Sequence, residues 1–195
     1  MTDFNFNPES HQYTLDGKPL PSVTGIVAST GVYDNNYNQH RKEIAMAKGS
    51  AVHKACYLSD ENRLNFKTLS EIISPYLEAW QKFRMMNPFR VISSEVPMYH
   101  RDLMYAGIID RVVNLKDTII LIDIKTGAKH EKAERLQTGG YRQLWDVNCP
   151  DMKIQKTWIV RLFSNSNFEI DPIVEPKVDE RAFLSAFNIY RFLRS

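Results

Sequence analysis

The stretch from Gly107 to Gly127, GIIDRVVNLKDTIILIDIKTG, constrains this chain more than any other. Two β-branched runs flank Lys116-Asp117, a spacing that predicts an antiparallel hairpin closed by a two-residue turn. Such a turn sets Asp110 directly opposite Asp123, and Lys125, two positions on, shares the face of Asp123. Charges on a buried sheet face are costly unless they are paired or hold a metal. Opposed carboxylates with Cβ atoms about 5 Å apart repel unless a cation lies between them. Oxygen donors of this kind suit Mg²⁺ or Mn²⁺, and one added imidazole shifts the preference toward Mn²⁺. His53, on a helical stretch with Gly49 one turn before it, is a candidate for that imidazole.

Around the hairpin, the pattern predicts an α/β fold of α+β type, with a central mixed sheet that contains the antiparallel hairpin and is flanked by helices. Asp16-Gly17 predicts an earlier hairpin, and Ser22 or Thr24 a cap for a short helix. A helix is expected from about Asn38 to Leu58, where Gly49 would let its face approach another backbone closely. SPYLEAWQKFRMM predicts a second long helix, begun at Pro75, with Tyr76, Leu77, Trp80 and Phe83 as a core stripe. Strands are expected in RVISSEVPMY, LMYAGIIDRVVNL and TIILIDIK, then a helix in EKAERLQTGGYRQLWDV and a strand in KIQKTWIVRLF. Gly139 and Gly140 inside that helix point to close backbone approach. The terminal helix carries Phe183, Phe187 and Tyr190 at helical spacing, a core stripe that is also compatible with a ring or dimer.

At 195 residues and 43% apolar content, one domain spanning 1–195 is expected, its motif-bearing part at about 49–163. No run approaches the ~18 apolar residues of a membrane span, and the first residues lack a signal pattern, so a cytoplasmic chain is expected. Two cysteines, Cys56 and Cys149, exclude a disulfide framework and a four-cysteine zinc or iron–sulfur site, leaving buried thiols. The net charge of +2 leaves nucleic acid open. From Lys125 to Arg142, however, five basic residues face only Glu131 and Glu134, a local +3. Lys129, Lys132, Arg135 and Arg142 are therefore candidates for a phosphate-tracking groove, with Gln137 and Tyr141 sharing one helical face beside them.

The motifs occur in order: GSAVH with His53, SSEV with Glu95, AGIID with Asp110, IDIKTG with Asp123 and Lys125, and QTGGY with Gln137 and Tyr141. Taken together the chain resembles the PD-(D/E)XK nuclease superfamily, in its RecB-like branch of phage-type exonucleases. Ile109 stands where the family name has proline. The resemblance implies a restriction-endonuclease-like core and a metal-dependent DNA exonuclease of low sequence specificity, serving recombination, repair or end processing. It also implies that His53, Asp110, Asp123 and the Ile124 carbonyl hold one or two Mg²⁺ or Mn²⁺ ions and that Lys125 handles the attacking water. Glu95 follows as a second-metal or supporting group. The implied partners are DNA ends or single strands, a further copy of the chain, and a recombination protein. A nicking or structure-specific endonuclease with the same site is the alternative, and a non-catalytic DNA-binding protein that keeps the fold is the alternative outside the enzymes.

Overall fold

The computed structural model describes residues 2–33 and 39–195. Three short strands, β1 (Phe4–Asn7), β2 (Gln12–Leu15) and β3 (Lys18–Leu20), form an antiparallel sheet. Asp16 and Gly17 turn β2 into β3 with φ of 49° and 74°, the positive values a two-residue turn requires. Ser22 caps helix α1 (Val23–Ser29) by accepting from the Gly25 amide at 2.9 Å. Helices α2 (Gln39–Asp60) and α3 (Ser74–Met86) follow, joined by a 3-10 turn at Phe66–Thr68. Asn38, where the first long helix was expected to begin, lies outside the described residues.

The second sheet has the order β4-β5-β6-β7-β8, made of β4 (Arg90–His100), β5 (Tyr105–Leu115), β6 (Thr118–Lys125), β7 (Lys156–Leu162) and β8 (Phe168–Pro172). Helix α4 (Glu131–Asn148) crosses over between β6 and β7, which pair in parallel. Helix α5 (Pro176–Phe192) ends the chain. This is the mixed sheet flanked by helices that the pattern predicted. The short β1 and β8 were not anticipated, being four and five residues long.

Both faces of the large sheet are covered. Helices α1, α4 and α5 pack Val23, Ile26, Leu144, Trp145, Phe183 and Phe187 against Val112 and Leu121. On the other face, α2 and α3 bring Val52, Cys56, Leu77, Trp80 and Phe83 to Val113, Ile120, Ile122 and Ile124. The stripe on α5 is thus core, as expected. Both cysteines are free, but only Cys56 is buried; Cys149 is partly exposed.

The two helical glycine sites have different explanations. A Cβ on Gly139 would lie 2.5 Å from the Asp179 carbonyl oxygen, and one on Gly140 would lie 2.7 Å from the Phe183 ring, so α4 and α5 can touch only because both side chains are missing. A Cβ on Gly49 would meet nothing closer than Thr126 Oγ1 at 3.7 Å. The close backbone approach expected at Gly49 is therefore absent, and an ordinary van der Waals contact with a side chain stands there instead.

Candidate active site

The hairpin register is the one the turn dictates. Lys116 and Asp117 adopt φ of 49° and 63°, and the β5–β6 ladder runs from Leu115↔Thr118 to Arg111↔Ile122. One step further, at Asp110 and Asp123, regular pairing stops. On its other side β5 pairs with β4 at Arg111↔Ser94 and at Ile109↔Val96, passing over Asp110 and Glu95. Ile109 and Val112 both enter the core under α4, although three residues apart they would face opposite ways in a regular strand. The strand therefore changes face around Asp110. Glu95 holds a left-handed backbone, φ 54°, a conformation worth about 1–2 kcal/mol of strain for a residue with a Cβ.

That irregularity frees polar groups, and side chains occupy the gap. Asp110 Oδ2 accepts the Ile124 amide at 2.6 Å. Its Oδ1 lies 3.2 Å from His53 Nδ1, and Glu95 Oε1 is 3.9 Å from the same nitrogen. His53 Nε2 sits 3.0 Å from the Ile124 carbonyl oxygen, which can only accept. His53, Glu95 and Asp110 offer ligand atoms that all lie within 4.8 Å of one another. Glu95 thus belongs to the tight group, and Asp123 stands just beside it. The Asp123 carboxylate is buried, its Oδ2 is 2.7 Å from Lys125 Nζ, and neither oxygen accepts an aligned hydrogen bond.

The charges strain one another. Burial alone would lower His53, but the charge and hydrogen bond of Asp110, with Glu95 behind, raise it to about 9. Burial and the neighbouring Asp110 charge push Glu95 up to about 7. Burial likewise pushes Asp123 up to about 6, against the pull of Lys125. Asp110 is held below its ordinary value, since His53, Lys125 and the Ile124 amide outweigh its burial. Burial would lower Lys125 too, but Asp123 and Asp110 hold it above its ordinary value.

Lys125 has a third neighbour. Its ammonium donates to Gln137 Oε1 at 3.0 Å, and Gln137 Nε2 donates to the Tyr141 hydroxyl at 2.9 Å. Gln137 and Tyr141 are buried, so they orient Lys125 from below and do not face a groove. The predicted basic groove on α4 needs a larger correction. Arg142 is buried, and its donors go to Glu180 at 2.8 Å, Thr157 Oγ1 at 2.9 Å and the Ile154 carbonyl at 3.0 Å. Arg135 is bound to Asp179 at 2.7 Å and Lys129 to Asp171 at 2.9 Å. Among the described residues only Lys132, of the four cations proposed for that groove, is exposed without an ion pair.

Sequence reasoning passed over the most deeply buried charge of all. Arg111, wholly buried, donates to Asp60 at 2.7 Å, to Glu95 at 3.1 Å and to the Asp110 carbonyl at 2.5 Å. Asp60, at the end of α2, also accepts from Arg84 at 2.7 Å and Trp80 at 2.9 Å. Arg111 thereby ties the helix of His53 to the strand of Glu95. The available signal was a second charge, next to Asp110, in the run IIDRVV.

A family model for the PD-(D/E)XK nuclease superfamily matches residues 36–162. The chain belongs to that superfamily. Among curated proteins, none matches the sequence. Similar solved structures include a candidate exonuclease from Eubacterium rectale, 12% identical, covering 92% of this chain and 76% of that one at a TM-score of 0.47. The alkaline exonuclease LHK-Exo from Laribacter hongkongensis is 13% identical over 89% of this chain and 90% of its own, at a TM-score of 0.37. Solved in complex with dAMP, LHK-Exo is 14% identical over 90% and 91% at 0.36. In this PD-(D/E)XK nuclease, the splayed end of the β5–β6 hairpin carries the Asp and the Asp-x-Lys of the superfamily name.

Proposed function

We propose that the protein is a metal-dependent DNA exonuclease, working as one nuclease domain in recombination, repair or end processing. The observation that carries this reading is the convergence of His53, Glu95 and Asp110 within 4.8 Å, beside an Asp123 carboxylate buried without hydrogen bonds. Hard oxygen donors with one imidazole fit Mg²⁺ or Mn²⁺, and such an ion would give Asp123 a second cationic partner beside Lys125. His53, Asp110, Asp123 and the Ile124 carbonyl would hold the ion, with Glu95 as a further ligand or the start of a second position. When bound, a divalent cation supplies Lewis acidity, both for the attacking water and for charge on the phosphoryl oxygens.

The remaining chemistry falls to Lys125. Asp123 and Asp110 favour its ammonium form, so its natural part is to donate, to a scissile phosphate oxygen or to the water it orients. Gln137 and Tyr141 hold it there. Preference for ends over internal sites rests on the ordered motifs from Gly49 to Tyr141 that resemble RecB-like exonucleases. Low sequence specificity follows from contacts directed at phosphate and not at base edges.

The test is a time course on end-labelled linear duplex beside a covalently closed circle, with Mg²⁺ or Mn²⁺. Linear DNA should shorten progressively, the circle should persist, and chelator should stop digestion. Lys125→Ala should lower the rate about a hundredfold or more while the melting shift caused by metal is retained. Vigorous digestion in excess chelator would overturn the metal dependence, and cutting of the circle would make the enzyme an endonuclease.

A further inference from the structure

We infer that the first half of α2 is a phosphate rail that grips the DNA about five nucleotides from the bond that is cut. This rests on the nuclease reading above and says where the rest of the substrate lies. Residues 40–47 of α2 are exposed on every side, Ile44 at 56% and Met46 at 63% included. A helical segment with no packed face has no tertiary burial to hold it, and most helices in proteins depend on such burial. Something else is expected to lie along it.

Charge decides what. The cations from Lys129 to Arg142 are largely consumed by acids of α5 and β8, as the ion pairs of Arg142, Arg135 and Lys129 show. On α2, Lys48 donates to the Tyr76 hydroxyl and Lys54 lies over the Tyr57 ring. Arg41 and Lys42 take part in no ion pair among the described residues and are exposed. At about 100° per residue, Lys42, Met46, Gly49 and His53 fall on one narrow stripe. The stripe leads from an unpaired cation directly to the cluster that would cut. Gly49 keeps it low, because the space where a Cβ would stand touches only Thr126 Oγ1 at 3.7 Å, beyond the end of β6. Eleven residues of helix separate Lys42 from His53, a span of about 17 Å at 1.5 Å each. A duplex strand advances about 3.4 Å per nucleotide, so that span corresponds to about five phosphates.

The experiment uses the full chain with Arg41→Gln and Lys42→Gln together, and a control with Lys18→Gln and Lys116→Gln, two exposed cations at hairpin ends. Binding to a labelled 20-base-pair duplex is titrated against salt with Ca²⁺, and cleavage kinetics are measured with Mg²⁺. The rail variant should show a salt slope smaller by about 1 to 2 and a several-fold higher KM, with kcat unchanged at saturating DNA. The control should match the parent. An unchanged slope in the rail variant, with parental cleavage intact, would overturn the rail and leave the nuclease reading standing. Equal losses in the control would overturn it as mere net charge. So would an effect confined to polyglutamate or anionic vesicles, since it would give α2 a different partner. If the parent neither binds nor cuts DNA, the nuclease reading itself falls, and the rail with it.

Discussion

Two groups of buried charge flank this sheet, and they are built differently. Beneath α4, Arg142 meets Glu180 at 2.8 Å and Arg161 meets both oxygens of Glu134 at 2.9 Å. Each of these two cations meets an acid in the geometry of directed hydrogen bonds. At the splayed end of β5 and β6, Asp60, Glu95, Asp110 and Asp123 share Arg84, Arg111, Lys125 and His53. That group balances only while His53 carries a proton, and it still leaves both Asp123 oxygens without a hydrogen bond. A closed group holds the fold together, whereas the open one holds a surplus of acid once His53 gives up its proton, and a cation is then its natural complement.

The strongest way to break this comparison is to remove surplus and balanced acids one at a time. Asp110→Asn and Asp123→Asn should each reduce cleavage about ten-thousandfold, on the order of 5 kcal/mol of transition-state stabilisation. Without metal they should part company. Asp110 is paired to His53 and accepts the Ile124 amide, so Asp110→Asn should lower the melting point. This differs from what two bare, opposed carboxylates would give. Asp123 carries a charge that the fold disfavours, so Asp123→Asn should leave the metal-free melting point unchanged or higher at pH 8. Equal destabilisation by both would mean that Asp123 is no surplus.

The closed group should respond in the opposite sense. Arg142→Met strips Glu180 of its buried partner, leaves it only the exposed Lys177 at 2.7 Å, and should cost about 3 kcal/mol of stability. The folded fraction should nevertheless cut with the parent's kcat and the parent's salt dependence. A reduced salt slope would return Arg142 to the substrate side and erase the distinction between the groups.

How much of this could be read beforehand follows from range. The turn at Lys116-Asp117 is a local matter, and it fixed the hairpin register as far as Arg111↔Ile122. Likewise the cap at Ser22 and the helix at Pro75 obey rules that act over a few residues, whereas Gly139 and Gly140 showed only that something comes close, and what comes close, Asp179 and Phe183, lies on α5. What the cations of α4 would meet was not local. Their acids, Asp171, Asp179 and Glu180, arrive from β8 and α5, about forty residues away, in a tail with no motif. The count of positive charge from Lys125 to Arg142 was correct, yet it said nothing about exposure. Arg111 was missed for a related reason: its partners, Asp60 at the end of α2 and Glu95 on β4, are brought to it only by the fold.

The smallest expected effect is the pH dependence of the metal-free protein, and its sign is unusual. Asp123 and Glu95 have folded values of about 6 and about 7, above their ordinary 3.8 and 4.5. The folded state therefore binds more protons than the unfolded one across that interval, and stability falls as pH rises through it. His53 acts in the same direction at higher pH: its contribution is complete below 6.5 and is lost as pH rises through about 9. Because these groups share one set of charges, their shifts do not add, and the whole fall should be on the order of 2 kcal/mol. A metal reverses the slope, since it takes neutral imidazole and ionised carboxylates and releases the protons. The melting gain on adding Mn²⁺ should therefore grow from pH 6 to pH 9, and His53→Gln should flatten the upper part of both curves. A metal-free melting point that rises across that range would mean that the protons are not held where the geometry puts them. The open group would then be as closed as its neighbour under α4.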